Sequence, residues 1–175
     1  MLFDGDLYVH YGFINLIGAQ DEPADLMATR AGQRNGLAGA AVPGQLSLVT
    51  GLHTGDVPFA VGWHDTEPAI GDEWEDVVEL SFRPRQADLV LQTFQDFSEL
   101  RLPTVRNLRV RYCVTGMDAG HQTDTTLEGE PAPDRYRLQL WPAEPAPEVI
   151  VRQTSATAAY WHREARRRQP GVATG

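Results

Sequence analysis

A chain of 175 residues, 42% hydrophobic and 22% charged, has the size and apolar content of one folded domain around a single core. It carries 24 acidic residues against 15 basic ones, every one of them arginine, for a formal net charge of −9. That balance excludes a sequence-independent grip on DNA or RNA, which needs a clustered positive surface, and it favours an acidic face that meets a basic protein.

The arginine-only usage is read as codon choice in a GC-rich genome. One cysteine, Cys113, excludes an intrachain disulfide, and its place in an apolar run reads as a small buried hydrophobe. The opening MLFDGDLYVHYG lacks a basic stretch ahead of an apolar core. No apolar run approaches the ~18 residues that span a membrane. The expected location is therefore the cytoplasm, away from any membrane.

In chain order, Asp6 to Ile17 is apolar on both alternating faces, which predicts one central strand covered twice. Residues 18–45, rich in Gly, Ala and Asp, predict a long connection with one helical turn near Ala24–Thr29. Leu46–Leu52 and Val57–Trp63 predict strands, with Pro58 placing the second at a sheet edge. After the acidic stretch HDTEPAIGDEWED, Trp74–Arg83 alternates as a strand. Asp88–Phe97 fits either a strand or a short helix.

Asn107–Thr115 and Asp134–Trp141 predict a hairpin across a polar loop at 116–133. The segment PAEPAPE reads as extended, and Val149–Val151 as a short strand. Thr154 or Ser155 caps a helix through ATAAYWHREARRRQ, whose last turns hold Arg163, Arg166, Arg167 and Arg168 beside the negative end of the helix dipole. The simplest reading docks that helix through Tyr160 and Trp161. The whole predicts a mainly β chain: an antiparallel β-sandwich over 1–152, a basic C-terminal helix over 153–169, and a disordered tail at 170–175.

Three stretches resemble the ComJ family, intracellular inhibitors of a competence-associated DNA-entry nuclease. DLYVHYGFINLIGAQD is similar to that family's opening strand, and DVVELSFRP to its middle strand. LRLPTVRNLRVRYCVTG followed by DRYRLQL is similar to its terminal strand pair. The likeness covers about a third of the chain. The chain departs from the pattern at 18–45, at 116–133 and from about residue 141, where WPAEPAPEVIVRQTSATAAYWH resembles the ending of uncharacterised actinobacterial proteins. The resemblance implies a β-sandwich with an inhibitor or immunity-type role, and it designates no binding residue.

Candidate site residues come from the residues themselves. Asp65, Glu67, Asp72, Glu73, Glu75 and Asp76 place six carboxylates in twelve positions with no basic residue among them, a field that would steer a basic partner such as a nuclease groove. Trp63 and Trp74 flank the run as aromatic anchors. The plain alternative is a solvated loop. Asp118, His121 and Asp124, with Glu128 or Glu130, form a metal-ligand alternative in the 116–130 loop, although their spacing matches no established motif.

Cys113, Ser81, Ser155, His10, His64 and His162 supply nucleophile and base types. The adjacent His64–Asp65 would point to opposite faces of a strand, and neither G-x-S-x-G nor a phosphate loop is present. The expected function is an acidic protein-binding module of inhibitor type, with no cofactor and no direct nucleic-acid contact. An enzyme or metal-binding protein, and a structural assembly subunit, are the alternatives.

Overall fold

The computed structural model describes residues 1–168. It is a β-sandwich in which all strand pairings but one are antiparallel, closed at one end by helices. The first sheet contains β1 (Phe3–His10), β5 (Thr54–Trp63), β6 (Asp76–Phe82), β9 (Leu108–Thr115), β10 (Arg135–Pro142) and β11 (Val149–Arg152), in the order β1-β5-β10-β9-β6-β11. The second contains β2 (Phe13–Gly18), β3 (Ala38–Gly39), β4 (Leu46–Val49), β7 (Asp88–Gln92) and β8 (Phe97–Arg101), in the order β3-β4-β2-β7-β8. Two α-helices, α1 (Met117–Thr123) and α2 (Ala156–Arg167), and one 3-10 turn at Ala28–Arg30 complete the described chain. The tail expected at 170–175, and residue 169 of the expected helix, lie outside the described residues.

The alternating strands place Val78, Leu80 and Phe82 of β6, Val110 and Tyr112 of β9 and Leu138 and Leu140 of β10 in the core. They meet Ile14, Leu16, Leu46, Leu48, Leu89 and Leu91 of the second sheet. The strand expected over 6–17 is two strands in different sheets. β1 is an edge of the first sheet and β2 lies inside the second. Both faces of that run are apolar because the chain changes sheets, not because one strand is covered twice. The corner is Tyr11–Gly12, with φ of 65° and 69°. Glycine reaches such a conformation freely, whereas tyrosine is held there by its surroundings.

Pro58 is not on an edge strand, since β5 lies between β1 and β10. The parallel ladder with β10 begins at Phe59, one residue past the proline's missing N–H. The run 88–97 forms the first arm and the turn of the β7–β8 hairpin. The connection 18–45 is pinned by Arg30, whose buried guanidinium donates to the carbonyls of Gly36, Leu37, Ser47 and Leu26. Burial lowers its pKa to about 9. The polar loop expected after β9 contains α1. No helix among the described residues is long and apolar enough to cross a membrane.

Candidate functional site

β5 and β6 run parallel in one sheet, with β10 and β9 between them. The acidic run is therefore the crossover joining them, an arch over the outer face of the sheet. Beneath it, Arg109 and Arg111 of β9 and Arg135 and Arg137 of β10 project outward, alternating with core residues. The arch is fixed to them. Arg111, 1% exposed, donates to Glu67 (2.9 Å), to the Pro68 carbonyl (2.6 Å) and to Glu79 (2.7 Å). Glu79 also pairs with Arg109 at 3.5 Å.

Trp74 packs with Val77, Cys113 and Ile70 in a second small core. The guanidinium groups of Arg135 and Arg137 each lie 5.3 Å from its ring. Arg152 donates to the Trp74 carbonyl at 2.5 Å. Cys113 is buried there, and burial raises its thiol pKa to about 12 despite the neighbouring Arg111 and Arg137, which keeps it in the thiol form at neutral pH.

The eight residues of the expected partner face separate into two groups. Asp65, Glu67, Asp72, Glu73 and Glu75 are exposed and Trp63 is half-buried. Glu67 is tied to Arg111, and Glu75 accepts the Gly116 N–H at 2.9 Å. Trp74 and Asp76 are buried, with their side chains turned into the fold. Trp74 is the keystone of the arch. Asp76 Oδ1 accepts the N–H groups of Thr154 and Ser155, turning the last carboxylate of the run inward to hold the start of α2.

Asp118, His121 and Asp124 all line one cleft, but no group of three His, Cys, Asp or Glu side chains suited to a metal occurs among the described residues. Asp118 is occupied instead. Its carboxylate accepts from the Ala156 and Thr157 N–H groups and from Thr157 Oγ1, capping α2 beside the Ser155 N-cap. Burial raises the Asp118 pKa, but those hydrogen bonds, with His121 nearby, outweigh it and leave the carboxyl below its ordinary value. His162, counted among the possible bases, is a buried acceptor for the Gly36 N–H at 3.0 Å. Gly36 is obligatory, because a Cβ there would stand 2.0 Å from the Trp161 carbonyl oxygen.

A cleft of about 540 Å³ opens between the Tyr11–Gly12 corner, the 50–53 turn, α1 and α2. Tyr11, His53, Asp124, Tyr160 and Trp161 line it, with Asp118 at its wall. Tyr11 and Asp124 are the non-glycine residues with left-handed φ among those described, at 65° and 61°, and both face this cleft. Its residues come from four distant segments, so no local spacing announces it. The buried pair Tyr136 and Asp134 braces its floor, with Tyr136 Oη accepting the Gly51 N–H and Asp134 accepting the Leu52 N–H. Burial holds the Asp134 carboxyl above its ordinary pKa.

No family model and no curated protein matches the chain. Two solved structures are similar in fold, each covering 82% of this chain and 99% of its own. One is described as crocagin biosynthetic gene J, with 12% identity and a TM-score of 0.48. The other, at 14% identity and a TM-score of 0.57, is ComJ from Bacillus subtilis, an inhibitor of the DNA degrading activity of NucA, and the likeness at that identity is one of fold.

Proposed function

We propose that this chain is a cytoplasmic, acidic protein-binding module of inhibitor type, and that its partner is a basic protein such as a nuclease. The observation that carries the reading is the anchored arch. Trp74 and Arg111 fix its base, so Asp65, Asp72 and Glu73 stand outward on a preorganised support. Holding charges in place before the encounter lowers the ordering cost of binding, and a net charge of −9 steers a cationic surface toward them. The fold shared with an inhibitor of a DNA-degrading protein supports the same reading.

A basic DNA-binding groove facing these carboxylates would meet negative charge where it otherwise meets phosphate. Capture of a basic partner by the wild type and by the triple variant Asp65→Asn, Asp72→Asn, Glu73→Gln tests the proposal. Binding that weakens steeply with salt and is lost in the variant is expected. Equal capture by both proteins would remove the arch from the interface.

A further inference from the structure

The cleft beside α1 has a chemistry of its own. Its rings are positioned by one another. Tyr11 meets His53 edge-on at 5.3 Å and Phe94 at 5.6 Å, and Tyr160 meets Trp161 at 5.5 Å and 76°. Tyr11 and Tyr160 nevertheless remain 53% and 47% exposed, which leaves aromatic surface for something else to cover. The lining carries the carboxylates of Asp118 and Asp124 and the imidazoles of His53 and His121, and it contains no arginine. Asp118 spends its oxygens on the α2 N-terminus, whereas Asp124 receives only the Thr125 hydroxyl, at 2.9 Å to Oδ2, among the hydrogen bonds described for its side chain.

Aromatic walls with carboxylates and no competing arginine suit a cation. A planar guanidinium suits them better than an ammonium, because it can stack on a ring while its edge meets a carboxylate. The volume admits one such side chain with its flanking backbone. Glu75, at the end of the arch, accepts the N–H of Gly116, the residue before α1, whose later residues line the cleft. An arginine on a protein surface that approaches this end of the sandwich would lie within the same negative field.

We propose that the cleft bounded by Tyr11, Asp124 and Tyr160 receives an arginine side chain presented by a partner protein. The site is separate from the outward carboxylates of the arch, whose field steers the partner's approach while Asp124 and the rings make the contact.

The test is a titration of the isotope-labelled full chain with a short blocked peptide bearing one arginine, followed by amide shifts. Shifts confined to Gly12, Gly51, His53 and the first turn of α2 are expected. Asp124→Asn and Tyr160→Ala should each weaken the peptide about five- to tenfold. Asp124→Asn keeps the size and shape of the side chain, and Tyr160 is half exposed, so neither change should unfold the protein. The triple arch variant should bind the peptide within about twofold of wild type, the limit set by screening of distant charges.

A citrulline peptide, equal in shape but neutral, should not bind. Equal binding of citrulline or of lysine would overturn the guanidinium assignment. Tighter binding of free arginine than of the blocked peptide would make this a small-molecule site and overturn the partner-borne reading. Shifts abolished by the arch variant, or no shifts at millimolar peptide, would overturn the site itself.

Discussion

Asp76 Oδ1 accepts the backbone N–H of Ser155 at 3.1 Å, across 79 positions of sequence, and so ties the start of β6 to the start of α2. The same oxygen takes the Thr154 N–H at 2.7 Å. Both donors belong to the helix terminus, where backbone N–H groups lack intrahelical partners. Asp76→Ala leaves them without that acceptor and should cost about 2–4 kcal/mol, with Asp76→Asn costing less because it keeps an acceptor oxygen. Urea unfolding followed by circular dichroism measures the loss. Hydrogen exchange should show α2 deprotected in the alanine variant while β9 and β10 stay protected.

His162 gives the fold an acid sensitivity. Burial first, and then Arg166, lower its pKa to about 4, against pulls upward from Asp76 and Glu148. The unfolded chain then binds the proton more tightly than the folded one, so stability is full above about pH 6.5 and falls as the pH drops toward about 4. The loss across that window is at most about 3 kcal/mol. His162→Gln, which keeps an acceptor for Gly36, should flatten the slope between those values. An unchanged slope would assign the acid sensitivity elsewhere.

Glu79 carries the charge balance beneath the arch, since it meets Arg111 at 2.7 Å and Arg109 at 3.5 Å with both arginines buried. Glu79→Gln leaves two buried cations without their shared anion and should cost about 3 kcal/mol in a denaturant titration. Glu67 pairs with the same Arg111, but its side chain is 65% exposed. Glu67→Gln should cost less than about 1 kcal/mol.

Much of the sandwich is legible in the sequence where one face of a strand is apolar and turn residues mark its ends. The β9–β10 hairpin and β6 follow from alternation alone, and α2 follows from Ser155 and the pattern after it. What stays hidden depends on distant partners. The sheet change at Tyr11–Gly12 looks like continuous strand because alternation carries no mark of which sheet it faces. The segment MDAGHQT reads as loop because its stretch holds little apolar content and its glycines suit turns. Yet Gly120 is required there, where a Cβ would stand 2.2 Å from Asp134 Oδ2.

The acidic run shows its charge in the sequence but not the four arginines it spans. Asp76 looked like one more surface carboxylate because its acceptor role is fixed only by the return of the chain at Thr154. The cleft needs positions 11–12, 50–53, 118–124 and 156–161 together, and nothing along the chain relates them.

The most direct measurement of the arch as an inhibitory face is DNA degradation by the captured basic nuclease, titrated with wild type and with the Asp65→Asn, Asp72→Asn, Glu73→Gln variant. Stoichiometric inhibition by the wild type, relieved by salt, is expected, together with a variant that folds normally but inhibits at least about tenfold less well. Undiminished inhibition by the variant, or a captured nuclease whose activity the wild type leaves untouched, would contradict an inhibitory role for the arch.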